Sequence, residues 1–285
     1  MRLFLFTSYV ILYFICTCKI FAITSLVDSE ASAAMMYEVV GSNIKIDILH
    51  SKKGSESSKQ ILKAGNADLI VVLTKETGDW MKNVPTETKI VLSELIDQKL
   101  LLLINSDKER IVNPYFWTDS KIALNIANAL KDTLSLLYPD LANNFNTNVL
   151  LFEKKIEVLN RTMADKMKNL RNKATLTSSF AFDYFFKIYK ITKIEAKTTL
   201  FDPQSNSKSR YKIVISEDKM AENRELLVDN VFVSQKDSLF STEFNHRLKT
   251  IKIDELAKNP NRSITYSEIL NSFADRILRL SNKFY

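Results

Sequence analysis

The sequence predicts an α/β protein with two lobes, each a mainly parallel sheet flanked by helices, joined by one long bridging helix. Three observations carry this. Short apolar strand patterns alternate with helical patterns, an order that favours parallel sheets covered on both faces. A helical pattern from about Leu141 to Leu170 runs without Gly or Pro. The strand–helix alternation then begins again. A length of 285 residues fits one large or two medium domains.

The first residues read as an export signal. Arg2 supplies a positive charge, Leu3 to Ile15 form an almost unbroken apolar run, and Ala22 offers a small residue for cleavage. The run is short for a membrane span, and an uncleaved anchor is the competing reading. Both cysteines, Cys16 and Cys18, lie in this segment, so the mature chain is expected to have no disulfide and no thiolate chemistry. Without Arg2 and Lys19 the formal charge of +7 falls to about +5. That surplus is spread along the chain, and nucleic-acid binding, which needs a concentrated basic stripe, is not expected. Gly41, Gly54, Gly65 and Gly78 are the only glycines, which excludes most phosphate-cradling glycine loops.

From Ile23 the elements follow in order. Ile23 to Val27 predicts a strand, Glu30 to Val40 a helix, and the alternating Ile44 to Leu49 a strand. Ser57 to Lys63 predicts a short helix and Ala67 to Leu73 a buried strand. Thr88 to Leu92 and Lys99 to Ile104 predict two more strands. Ile122, Ile126, Ala129, Leu130 and Leu134 recur at helical spacing, giving a helix from Lys121 to Leu137 capped by Thr118 or Asp119 and ended by Pro139. In the next pattern Phe145, Val149, Phe152, Ile156, Leu159 and Met163 mark one apolar face. Thirty helical residues would span about 45 Å, enough to bridge two lobes.

The second set repeats the logic. Thr175 to Phe180 is strand-like, Phe182 to Tyr189 helical, Lys193 to Leu200 strand-like, and Asp202 to Arg210 a polar loop. Val228 to Ser234 and Thr250 to Ile253 read as strands around a helix near Ser241 to Arg247, and Tyr266 to Ser281 as an amphipathic helix. The expected division is a signal peptide over 1–22, an N-terminal α/β lobe over 23–140, a bridging helix over 141–172 and a C-terminal α/β lobe over 173–285. Trp117 reads as a packing anchor, and Phe180, Phe182, Tyr184, Phe185, Phe186 and Tyr189 as an aromatic core cluster.

Several local strings add a family resemblance. Asn113-Pro114-Tyr115-Phe116-Trp117-Thr118-Asp119, Tyr138-Pro139-Asp140 with Asn144 and Asn148, and Ser179-Phe180-Ala181-Phe182-Asp183-Tyr184-Phe185 with Tyr189 occur in this order. So do Ala67-Asp68-Leu69-Ile70, Val231-Phe232-Val233 and Ile251-Lys252-Ile253-Asp254-Glu255-Leu256. Together they resemble the zinc- and manganese-binding proteins of ABC uptake systems, over nearly the whole mature chain. The resemblance implies two α/β lobes joined by a rigid helix, with a divalent cation captured between them and handed to an inner-membrane ABC permease. It further implies a monomeric, periplasmic binding protein, anchored to the membrane if the signal is retained, and not an enzyme.

The departures fall on the ligands. The family holds zinc or manganese with three His, one sometimes Glu, and one Asp or Glu, a mixed set suited to these ions. At the corresponding positions this chain has Lys52, Tyr115 and Ser179, and Asp254 alone keeps a ligand type. His50 lies just upstream of the first ligand loop and Glu56 inside it. The candidate metal positions are therefore Asp254, His50, Glu56, Tyr115 and Ser179. His50 and His246 are the only histidines, and His246 reads as a surface residue. Three outcomes stay open on the chemistry: zinc or manganese through this altered set, a different solute in the same cleft, or an interaction or adhesion module that has lost its ion.

Overall fold

The computed structural model describes residues 23–49, 65–77, 81, 84, 88–105, 109–171, 174–177, 180–195, 197–200, 211–214, 231–234, 250–253 and 265–281. The first sheet is made of β1 (Thr24–Val27), β2 (Lys45–Ile48), β3 (Leu69–Val72) and β4 (Lys89–Val91), all parallel, in the order β2-β1-β3-β4. The second contains β7 (Ala174–Thr177), β8 (Thr192–Glu195), β11 (Val231–Ser234) and β12 (Thr250–Ile253), again all parallel. Its order, β12-β11-β7-β8, is the order of the first sheet read from the other edge. In both, the first strand sits between the second and the third. Two antiparallel pairs complete the strands: β5 (Leu103–Asn105) with β6 (Arg110–Val112), and β9 (Lys197–Leu200) with β10 (Tyr211–Val214).

Local chemistry explains the helix ends. Helix α1 (Glu30–Val40) starts at Ser29, whose hydroxyl accepts from Ser32 N at 3.1 Å, and Glu30 stands in its positive first turn. It stops at Gly41, with φ of 56°, where the Gly41 N–H reaches Tyr37 O at 2.9 Å. A Cβ at Gly41 would stand 3.1 Å from Asn148 Nδ2, so the turn also admits a close neighbour. Helix α2 (Ser120–Leu137) is capped by Asp119, which accepts from Lys121 N at 2.8 Å and Ile122 N at 3.3 Å.

The long helix α3 (Ala142–Met167) has 26 residues, about 39 Å of rise, with 3-10 turns at Pro139–Leu141 and Lys168–Leu170 on either side. Its buried residues are Phe145, Val149, Phe152, Ile156, Leu159, Met163 and Met167, the apolar face expected from spacing. Asn148 Nδ2 donates to Val39 O at 2.9 Å and Asn144 Nδ2 to Asn43 Oδ1 at 3.3 Å, tying α3 to the end of α1. Helix α4 (Asp183–Tyr189) follows β7, and α5 (Tyr266–Ser281) packs on α1 and α3. One hydrophobic core runs through this helical layer and the inner strands. Among the described residues no helix is long and apolar enough to cross a membrane.

Four expectations need correction. Lys99 and Leu100 belong to a 3-10 turn (Gln98–Leu100), because the Asp97 carboxylate accepts from Lys99 N at 2.9 Å; the strand starts at Leu103. Phe180 opens another 3-10 turn (Phe180–Phe182) and is 40% exposed, so it is neither strand nor core. The expected strand from Lys193 to Leu200 is two strands: β8 joins the parallel sheet, and β9 pairs with β10. Tyr189 is only half-buried. The expected helices over 57–63 and 241–247 and the loop over 202–210 lie outside the described residues.

Candidate metal centre

In open parallel sheets, ligands bind beyond the carboxyl ends of strands, at the point where strand order reverses. Here that point lies between β1 and β3 in the first sheet and between β7 and β11 in the second. Strands β2, β7 and β12 end at Ile48, Thr177 and Ile253. His50, Ser179 and Asp254 come within two residues of those ends along the chain. These three, with Glu56 and Lys52, lie outside the described residues. Of the expected metal positions, Tyr115 alone is described.

Tyr115 sits in a 3-10 turn, Pro114–Thr118, that precedes α2. Asn113 initiates the turn: its Oδ1 accepts from Tyr115 N at 3.0 Å. Fully buried, Asn113 also donates through Nδ2 to Phe180 O at 2.9 Å and Asp183 Oδ2 at 3.3 Å. One amide thus joins the segment carrying Tyr115 to the residue that follows Ser179. A second tie runs from Leu102 N to the Tyr184 hydroxyl at 2.6 Å. Behind the turn, Trp117 is 2% exposed and meets the edge of Phe273 at 6.0 Å between ring centroids. Its carbonyl accepts from the Tyr266 hydroxyl at 2.8 Å. The Glu38 carboxylate accepts from Tyr266 N at 3.2 Å and from Lys155 Nζ at 2.9 Å, so α1, α3, α5 and the turn share one buried junction.

The phenols here are donors or neutral acceptors, not anions. Burial, with Asp119 and Asp183 nearby, pushes Tyr184 up to about 12, although the Leu102 N–H opposes this. Burial, then Asp119, pushes Tyr189 up to about 12, and burial holds Tyr266 well above its ordinary value. None of these three would become a phenolate ligand at neutral pH.

Asp28 escaped the reading of the sequence. It follows β1 at the reversal point and accepts from Ser32 Oγ at 2.6 Å, Leu73 N at 3.0 Å and Ser29 Oγ at 3.2 Å. Burial raises its pKa in spite of these bonds. With its oxygens engaged in closing β1 onto the end of β3, Asp28 is a structural carboxylate. A signal was present, since an acidic residue at a strand end before a Ser cap marks such a position. Among the described residues no three His, Cys, Asp or Glu side chains gather as a metal-binding group.

Residues 33–279 match the family described as ZnuA, the periplasmic zinc-uptake complex component A. The chain belongs to this family. Zinc-binding protein AdcA of Streptococcus pyogenes is 22% identical over 199 residues, covering 60% of this chain and 38% of that protein. The chain therefore spans well under half the length of that relative. A zinc-bound variant of AdcAII from Streptococcus pneumoniae superposes with a TM-score of 0.67 at 17% identity, covering 90% of this chain and 98% of that one. The laminin-binding adhesin Lmb of Streptococcus agalactiae gives 0.68 at 18% identity, covering 91% and 99%. At such identities the superpositions establish the ZnuA-family fold: two parallel α/β lobes and a long connecting helix.

Proposed function

We propose that this ZnuA-family chain is the solute-binding component of a metal-ion uptake system, exported to the periplasm, that captures zinc or manganese between its lobes and delivers it to an ABC permease. The observation that carries the reading is the pair of parallel sheets of identical strand order, on a match to an uptake family over residues 33–279. The zinc named for AdcA and AdcAII makes zinc the first ion to test. The proposed capture set is Asp254, His50 and Glu56, with Tyr115 and Ser179 at the remaining positions. Imidazole and carboxylate are good ligands for both ions, whereas a neutral phenol and an alcohol are poor ones, so affinity is expected to fall below that of a four-ligand site. The chain binds and releases its cargo unchanged.

Thermal unfolding of chelator-treated protein tests this. A ligand that binds only the folded state at 100 times its Kd stabilises by about 2.7 kcal/mol. Zinc or manganese should raise Tm, and Asp254→Ala should abolish the rise. No shift with either ion, or an undiminished shift in Asp254→Ala, contradicts the proposal. The alternative is a family member that has lost its ion and serves as an interaction or adhesion module. It is favoured by one observation, the Lys52, Tyr115 and Ser179 replacements, and expects no metal response at all.

A further inference from the structure

A cavity of about 570 Å³ opens where the start of α2, the last turns of α3 and the end of α4 meet. Lys121, Lys168, Arg171, Lys187 and Lys190 line it, against one carboxylate, Asp119. Tyr115, the candidate metal position among the described residues, does not line it, and such a surface repels cations. Asp119 is committed elsewhere, because its carboxylate already accepts the first amides of α2. The helix end is therefore closed, and the feature that remains is the convergence of cations.

Two contrasts set these side chains apart. Elsewhere on α3, Lys155 pairs with Glu38 at 2.9 Å and Lys166 with Asp275 at 2.8 Å. Among the described residues the five cavity cations form no ion pair with a carboxylate. Lys190 is also the one non-glycine residue, among those described, in the left-handed region, with φ of 55° and ψ of 41°. It occupies the helix-ending position that glycine or asparagine fills without strain. Lysine carries a conformational cost at this position, and Lys190 lines the cavity.

The other lining groups suit an anion with oxygen atoms to be bonded. Ser120 Oγ donates to Asn160 Oδ1 at 2.6 Å, which orients the Asn160 amide with its NH₂ as a donor. The Tyr189 hydroxyl stays protonated, and Ala164 and Met167 add apolar surface. The volume lies within the range of small-molecule sites. We propose that this cavity binds a compact oligophosphate, with Arg171 as a forked anchor and the four lysines as neutralising charges. The competing account places these cations at the negative ends of α3 and α4 merely to stabilise the helices. It explains cations along each helix, but not their convergence on one concavity or the strained Lys190.

The test is calorimetric titration of sodium tripolyphosphate into the metal-free full chain, since zinc would itself bind the probe. Saturable one-site binding is expected, weakened at least about tenfold in the Lys168→Gln, Arg171→Gln double variant and again by added salt. Lys190→Gly should raise Tm by relieving the backbone while lowering affinity about threefold, a pair of opposite signs that helix stabilisation alone does not produce. The Lys190→Gly arm holds even if the double variant fails to fold. Absence of saturable heat at about 1 mM probe, or equal affinity in Lys190→Gly and the parent, overturns the proposal. A zinc-induced Tm shift measured on Lys190→Gly should match the parent's, so this inference and the metal reading fail independently.

Discussion

The turn from Asn113 to Thr118 has two sides with different fates. On one side, Trp117, Tyr266, Glu38 and Phe273 interlock through packing and hydrogen bonds that join the turn to α1 and α5. On the other side, two residues earlier, Tyr115 stands at a position that the family resemblance assigns to a metal ligand; it is half-buried against the core, and Asn113 and Thr118 hold its backbone. The difference teaches that the scaffold and the ligand set are held by separate forces. Every residue on the first side answers to close packing, where volume changes cost several kcal/mol. A ligand side chain answers mainly to its ion, whose binding depends on the identity of the donor atom.

Substitutions can break or sharpen this contrast. The largest effect is expected from Trp117→Ala, which empties the centre of the junction and should cost about 3–5 kcal/mol in urea unfolding. Asn113→Ala should cost about 2 kcal/mol, by removing the buried hydrogen bonds that Asn113 makes with Phe180 O and Tyr115 N, and should also weaken any zinc response. A loss of stability with zinc binding intact would detach Asn113 from the site. Tyr266→Phe keeps the ring and removes one buried bond to Trp117 O, for about 1–2 kcal/mol.

A pH scan probes the same phenols. Tyr184 and Tyr189 titrate near 12 in the fold and near 10 when unfolded, so the folded chain holds more protons between those values. Their contribution to stability is therefore fully present below about pH 10 and is lost as pH rises through about 12, and Tyr189→Phe should flatten part of that decline. A flat profile across this window would contradict the burial assigned to them. The smallest effect belongs to Asp28→Asn. Burial raises its pKa, which offsets part of what the carboxylate gains from its bonds, and an amide keeps one oxygen to accept from Leu73 N while turning its NH₂ towards the Ser29 and Ser32 hydroxyls, so a loss of at most about 1 kcal/mol is expected. A large loss would mean that Asp28 does more than join β1 to β3.

Much of the fold was legible because periodicity reports burial. The α3 face from Phe145 to Met163, the bounds of α1 and α5, and the Asp119 cap all follow from spacing or local hydrogen bonding. The repeated strand order was not legible, since the two sheets share no sequence repeat and pairing is set by contacts far apart in the chain. Nor was the division between β8 and β9: a continuous β-prone run does not say that its halves pair with different partners. Phe180 misled because aromatic character suggests a core, whereas its carbonyl is used by Asn113 and its ring is left at the surface. For the proposed site, Tyr115 is marked in the sequence only through its neighbours Pro114 and Trp117. The ties through Asn113 and Asp28 depend on partners 70 and 45 residues away, which no local pattern encodes.

Metal content per chain tests the central claim most directly. The protein, purified without chelators, should carry about one zinc or manganese ion per chain by elemental analysis, and Asp254→Ala should carry almost none. A parent protein with no bound zinc or manganese would contradict capture by the inherited cleft and leave a carrier fold put to another use.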